Sequence, residues 1–208
     1  MSRLSIAPPG QEGWPEGTKC RRAGVVDQGI CLLEQSPRHG LFLLRPDAYY
    51  LSSMTNTVQL QQMESGPLAV LRRQVKRADL SRVVPECCGL VWNALRAQNL
   101  RGGRNVAIYW DETIRIEVGV EMTDLFAERD GVVRSATPGG AVAWTTHHGP
   151  YGGLGGAHRA VQTWCRAHGH VPAGPNWEIY GHWIPAWNTD PSLIRTDVFY
   201  LVAPSQLP

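Results

Sequence analysis

Residues 66–70, Gly-Pro-Leu-Ala-Val, return in altered form as Gly139-Gly140-Ala141-Val142, 73 positions later. Two further matches run at nearly the same spacing: Trp92 with Trp164, 72 apart, and Ile108-Tyr109 with Ile179-Tyr180, 71 apart. A spacing that holds within two residues over three motifs reads as a duplication of a unit of about 70 residues, and two copies are too few for a solenoid. Within the first copy, Val58–Met63 and Leu68–Gln74 read as strands joined by a turn at Ser65-Gly66-Pro67. A helix is predicted over Pro85–Asn99, because Cys88, Val91, Trp92 and Leu95 fall at i, i+3, i+4 and i+7 and make one apolar stripe. Pro85 suits a first turn, and Gly102-Gly103 closes the helix. Val106–Trp110 is a strand. Thr113–Met122 is another, with Ile114, Ile116, Val118, Val120 and Met122 on one face and Arg115, Glu117 and Glu121 on the other.

The second copy repeats the order. Val132–Thr137 and Ala141–His147 flank the turn Pro138-Gly139-Gly140, and a helix over Tyr151–His168 carries Leu154, Ala157, Val161, Trp164 and His168 along one face. Trp177–Trp183 and Ile194–Val202 complete it as strands. The predicted class is α+β: duplicated β-β-α-β-β units related by a pseudo-twofold. Each unit alone leaves a sheet face uncovered, so the pair is expected to fold as one domain over residues 57–203, followed by a tail over 204–208. Residues 1–53 differ: turn pairs such as Pro8-Pro9 and Arg45-Pro46 interrupt every apolar run. They read either as a disordered leader or as an extension ahead of a natural start at Met54.

Composition narrows the function. The 208 residues carry 20 Lys+Arg against 18 Asp+Glu, and a formal charge of +2 is small for a protein that lives on the phosphate backbone. No apolar run approaches the roughly 20 residues of a membrane span, and the N-terminus lacks a secretory core. Five cysteines without CxxC spacing suggest neither a disulfide framework nor a zinc site. A cytoplasmic location is the default expectation, with no cofactor and no metal. Gly152-Gly-Leu-Gly-Gly156 lacks the Gly-Lys-Ser/Thr ending of a phosphate loop; these small residues are expected to let the second helix approach the sheet closely. Cys87, Cys88 and Cys165 are expected as small core residues, and Trp92 and Trp164 as core on helical faces.

The run Thr146-His-His-Gly-Pro-Tyr151, a helix ending near Trp164, Gly174-Pro-Asn-Trp-Glu-Ile-Tyr180 and Ile194-Arg-Thr-Asp-Val-Phe-Tyr-Leu201 together resemble the GyrI-like small-molecule-binding domain, which is also the effector-binding part of AraC-type and MerR-type regulators. The resemblance covers residues 57–203. It implies a ligand cleft between the two halves, a glutamate at Glu178 as the cleft's charge, and hydrophobic, often cationic aromatic molecules as ligands.

The residues themselves argue in the same direction. On an extended Trp177–Trp183, Glu178, Tyr180 and His182 point one way and Trp177, Ile179, Gly181 and Trp183 the other. Both faces are aromatic-rich, and a carboxylate among rings needs a partner. A carboxylate supplies charge and rings supply stacking and cation–π attraction, which suits a flat cation. The bland reading is a solvated glutamate or one paired with Arg195. Tyr109 and Tyr180 are repeat mates expected to face each other across the cleft. Ala107 is the mate of Glu178, so the cleft holds one acid and not the two of a glycosidase. Seven of the eight tryptophans follow residue 90; Trp110, Trp144, Trp183 and Trp187 are candidate cleft walls, Trp187 as a lid or as a packed anchor. His148 and Tyr151, around a Gly-Pro turn, complete the candidate set.

Three functions fit. The first is a stand-alone binding module; no two-helix DNA-binding pattern is visible, so direct nucleic-acid contact is not expected. The second is a hydrolase of the kind the resemblance admits, opening electrophilic cyclopropane rings of DNA-alkylating natural products, with Glu178 as general base and Tyr109 or Tyr180 as proton donor. The third is a protein-interaction module resembling a gyrase inhibitor.

Overall fold

The computed structural model describes residues 57–111 and 113–203. The leader over 1–53, the proposed start at Met54 and the tail over 204–208 lie outside the described residues. Among the described residues, eight strands and three α-helices follow in chain order: β1 (Gln59–Met63), β2 (Pro67–Gln74), α1 (Leu80–Arg96), β3 (Asn105–Tyr109), β4 (Arg115–Glu121), β5 (Val133–Ala136), β6 (Gly140–His148), α2 (Leu154–Ala167), β7 (Pro172–Tyr180), α3 (Ala186–Thr189) and β8 (Arg195–Val202). All strands join one antiparallel sheet in the order β1-β6-β8-β7-β3-β4-β2-β5. The class is α+β, as the sequence predicts. Among the described residues, no helix is long and apolar enough to cross a membrane.

The predicted turn between β1 and β2 is instead a crossing. β1 pairs with β6 and β2 with β4 and β5, so the two strands sit near opposite ends of the sheet. Met63 lies opposite Gly140 and Pro67 opposite Ala136, in one continuous register. The two linkers are tied to each other: the Gly66 amide donates to Thr137 Oγ1 at 2.8 Å, and the Thr137 amide returns a bond to the Gly66 carbonyl at 2.8 Å. Pro67 has no N–H for a hairpin bond, and its place at the strand start costs the ladder little.

Period-two alternation sets the two faces of the sheet. Ala69, Leu71, Ala107, Ile116, Val118, Val120, Tyr180, Val198 and Tyr200 join the helices in one buried cluster. Leu68, Val70, Val106, Ile108, Val142, Trp177, Ile179 and Phe199 form the other. The first helix starts five residues earlier than predicted and holds Pro85 in its interior. Val83 and Val84, both buried, carry the apolar stripe through that extra turn, which offsets the hydrogen bond that Pro85 cannot make. Ile114 does not begin the fourth strand: it closes the β3–β4 turn at φ +56°, a left-handed conformation that a β-branched residue rarely adopts. β7 ends at Tyr180, three residues before the predicted Trp183. There the Gly181 amide makes its last bond to the Arg195 carbonyl, at 2.9 Å, and the chain leaves the ladder toward α3.

Gly119 on β4 permits a close approach, since a Cβ there would lie 1.8 Å from the Ala69 carbonyl oxygen. The glycines opening α2 behave otherwise. Space is open at Gly152 and Gly156, and Gly155 meets only the Arg159 side chain, so the expected close helix–sheet contact is not made there; Gly153 abuts the His147 ring. Cys87, Cys88 and Cys165 are free thiols in the core.

Candidate functional site

α1 packs on β2 and β4, and α2 on β6 and β8, so the central pair β3–β7 runs between the two helices. In that pair Ala107 stands opposite Glu178. Alternation along β7 sends Trp177 and Ile179 to the face without the helices and turns Glu178 and Tyr180 toward them.

The Glu178 side chain is only 7% exposed. Its carboxylate accepts three hydrogen bonds. Tyr180 Oη donates to Oε2 at 2.5 Å, Tyr109 Oη donates to the same oxygen at 3.2 Å, and His158 Nε2 lies 2.8 Å from Oε1. The other ring nitrogen of His158 is 2.9 Å from Tyr200 Oη, which also accepts from Gln162 Nε2 at 3.1 Å. A carboxylate can only accept, so Nε2 carries the hydrogen that faces Glu178, and Nδ1 bonds the Tyr200 hydroxyl. Tyr151, in the turn before α2, meets the Tyr180 ring edge-on at 5.7 Å and 77°.

Burial, reinforced by the negative charge of Glu178, pushes the Tyr109 and Tyr180 phenols well above their ordinary value of 10.0. Burial raises Tyr151 in the same way, with smaller contributions from Cys88 and Glu178. Tyr200 is raised to about 12, chiefly by burial. Burial also lifts the Cys88 thiol to about 12, so it stays neutral beside the tyrosines. The centre is thus one buried carboxylate held by two phenols and an imidazole. Among the described residues, no lysine or arginine lies within 4.0 Å of Glu178. The bland pairing with Arg195 does not occur: Arg195 bonds Asp197 through Nε and Nη2, both at 3.1 Å.

Of the residues named from sequence, the fold gathers Glu178, Tyr180, Tyr109 and Tyr151. It sets the others apart. Trp144 lies on the opposite face, stacked on Phe199 at 5.6 Å, and Phe199 stacks in turn on Trp177 at 5.3 Å. Trp110 is 38% exposed and borders a different hollow. Trp183 and Trp187 meet edge-on beyond the end of β7; Trp187 is buried, and a Cβ at Gly181 would lie 2.9 Å from its ring. That contact makes Trp187 a packed anchor, the second of the two roles weighed for it. His148 is exposed at the end of β6, opposite Arg195. Trp92 and Trp164 are half-buried rather than core. Trp92 Nε1 donates to Asn105 Oδ1 at 2.8 Å, and Trp164 stacks between His168 and His170 at 4.2 and 5.4 Å.

Sequence reasoning missed His158, Gln162 and Tyr200. The readable signal was the spacing of His158 and Gln162, i and i+4 on α2, flanking the buried Ala157 and Val161.

No family model matches the chain, and no curated protein matches it. Solved structures do. The EcmrR C-terminal domain matches with a TM-score of 0.60 at 19% identity, over 72% of this chain and 99% of that domain. EcmrR in a cryo-EM complex with DNA matches with 0.61 at 18% identity over 72% of this chain, which spans 58% of the EcmrR chain. A hydrolase from Listeria innocua matches with 0.50 at 8% identity, over 73% of this chain and 94% of that one. At these identities the likeness defines the fold. The chain has the fold of the EcmrR C-terminal domain, in keeping with the GyrI-like resemblance read from its sequence.

Proposed function

We propose that this domain binds small hydrophobic cations carrying flat aromatic rings, with Glu178 as their counter-ion. One observation carries the reading: a buried carboxylate bonded by two phenols and an imidazole and by no lysine or arginine among the described residues. A buried carboxylate without such a permanent cation is an unfinished ion pair, and an arriving cation completes it. Tyr109, Tyr151 and Tyr180 supply ring surface beside it.

In the same reading the chain is two β-β-α-β-β copies with the ligand cleft where they meet. The strand order supports this, because exchanging β1–β4 with β5–β8 returns the same order reversed. The central register supports it too: Asn105 faces Tyr180 and Tyr109 faces Asn176, with Ala107 and Glu178 paired midway. An axis through that midpoint explains why a duplicated fold has a single acid at its centre.

The test is a fluorescence titration with N-methylacridinium, a flat cation, beside 9-methylanthracene, a neutral ring system of similar shape. The cation should bind and lose affinity selectively in Glu178→Gln. Equal behaviour of the two ligands would remove the counter-ion role.

The two phenols bonded to Glu178 favour a second reading, hydrolysis of an activated cyclopropane, since they set proton donors beside a candidate general base. Glu178 would take a proton from water, and the water oxygen would bond to a ring carbon. The strained C–C bond would break toward a conjugated carbonyl, whose oxygen would take a proton from Tyr180 or Tyr109. The fold shared with the Listeria hydrolase supports this only at the level of architecture. Chromatographic detection of a ring-opened, hydrated product tests it, and its absence with wild-type protein leaves the binding reading alone.

A further inference from the structure

Trp110, named from sequence as a cleft wall, opens instead onto a cavity away from Glu178. With Arg72, Arg73, Arg115 and Glu117 it borders a hollow of about 560 Å³ beside the β3–β4 turn. None of the Glu178 network lines it.

Two guanidinium groups there, those of Arg72 and Arg115, are each held by one nitrogen. Arg72 gives Nε to the buried Glu117 carboxylate at 2.7 Å, and Glu117 is fixed from the other side by the Ser135 hydroxyl. Arg115 gives Nε to Asp111, whose second oxygen holds the Thr113 hydroxyl at 2.7 Å. Arg73 alternates to the helix-bearing face of β2 and gives Nη1 to the Arg72 carbonyl at 2.8 Å. Among the described residues, no hydrogen bond or ion pair engages either terminal nitrogen of Arg72 or of Arg115. The acids therefore orient these forks without using them up. A guanidinium fork anchored through Nε presents two parallel donors, the geometry that matches a phosphate or carboxylate. An indole 38% exposed at the rim offers a flat surface for a ring.

We propose that this hollow binds a small aromatic monophosphate of nucleotide type, its ring against Trp110 and its phosphate on the terminal nitrogens of Arg72 and Arg115. The cavity volume falls in the range of small-molecule sites. A hollow of this size on a chain of net charge +2 suits one phosphate better than a polymer of them.

The experiment is calorimetric titration of the full chain at low salt with adenosine monophosphate, beside adenosine alone, inorganic phosphate alone and a single-stranded 12-mer. The expected result is saturable binding of the monophosphate with a dissociation constant below about 1 mM. Adenosine and phosphate alone should bind at least about 10-fold more weakly, because neither makes both contacts. Trp110→Ala and Arg115→Gln, both at exposed positions, should each weaken the monophosphate by about 10-fold or more. Circular dichroism confirms that both variants are folded. No saturation by the monophosphate, equal binding by the variants, or binding of the 12-mer where the monophosphate fails would each overturn the proposal. Trp110→Ala should leave N-methylacridinium affinity unchanged, so this site and the Glu178 site stand or fall separately.

Discussion

Glu178→Gln isolates charge from shape, and its effect can be sized from the geometry. A cation lodged beside the carboxylate sits about 4 Å from it, where an effective dielectric near 20 gives roughly 4 kcal/mol of attraction. The site is not sealed: the His158 side chain is 21% exposed, so water screens part of that field. The amide oxygen of glutamine keeps one acceptor, and the cation sheds the same water in both proteins, so those contributions largely cancel. What remains is about 2–4 kcal/mol, or roughly a 30- to 1,000-fold loss of affinity for N-methylacridinium. 9-Methylanthracene should change by less than about threefold, because its contacts are with rings. Fluorescence titration at fixed ionic strength reads both constants, and thermal unfolding of the variant guards against a folding defect. Folding should survive, since removing a buried charge offsets the donors it leaves facing an amide. If Glu178→Gln binds the cation within threefold of wild type while remaining folded, the unfinished ion pair is not what draws the ligand.

Three further outcomes follow from other parts of the structure. Tyr200→Phe removes the hydroxyl bonded to His158 Nδ1, so it should cost about 1 kcal/mol of stability and move the Nδ1 resonance seen by 15N NMR; an unchanged Nδ1 shift would contradict the His158–Tyr200 bond. In alkali, Tyr109, Tyr151, Tyr180 and Tyr200 should resist ionisation past pH 10, the value they take when unfolded. Stability from these neutral phenols is complete below pH 10 and drains away as pH rises toward their folded values, so spectrophotometric titration should show their ionisation merging with unfolding. Gly119→Ala should cost about 3 kcal/mol or more, because the new methyl meets backbone, whereas Gly156→Ala on open helix surface should be neutral or stabilise by up to about 1 kcal/mol; urea denaturation ranks the pair.

How much of this was readable depended on whether one physical rule decided each feature. The faces of β4 and β7 were legible because alternation is local: a carboxylate between Trp177 and Ile179 must point away from both. The alignment of Ile108-Tyr109 with Ile179-Tyr180 placed Ala107 against Glu178, and the two are direct cross-strand neighbours. Strand partners were not legible in the same way. Ser65-Gly66-Pro67 serves a hairpin turn and a crossing linker equally well, and only the bonds to Thr137, 71 positions away, select the crossing. Pro85 misled because first-turn preference is a weak rule, and burial of Val83 and Val84 overrides it.

The tryptophans show why the candidate site was read too widely. A large ring on a strand whose two faces are both apolar can serve either face, and composition cannot choose. Here the choice went to packing: Trp144 and Trp177 stack with Phe199, and Trp187 fills the space above Gly181. The groups that surround Glu178 are instead those that combine a ring with a hydrogen-bond donor. A buried carboxylate selects for that pairing, since a phenol or an imidazole pays the desolvation debt that an indole on the opposite face cannot reach. The search rule that follows is specific. Once a strand acid is placed on the helix-covered face, its partners should be sought among His, Tyr and Gln on the flanks of the overlying helix stripe, and His158 and Gln162 occupy that position on α2.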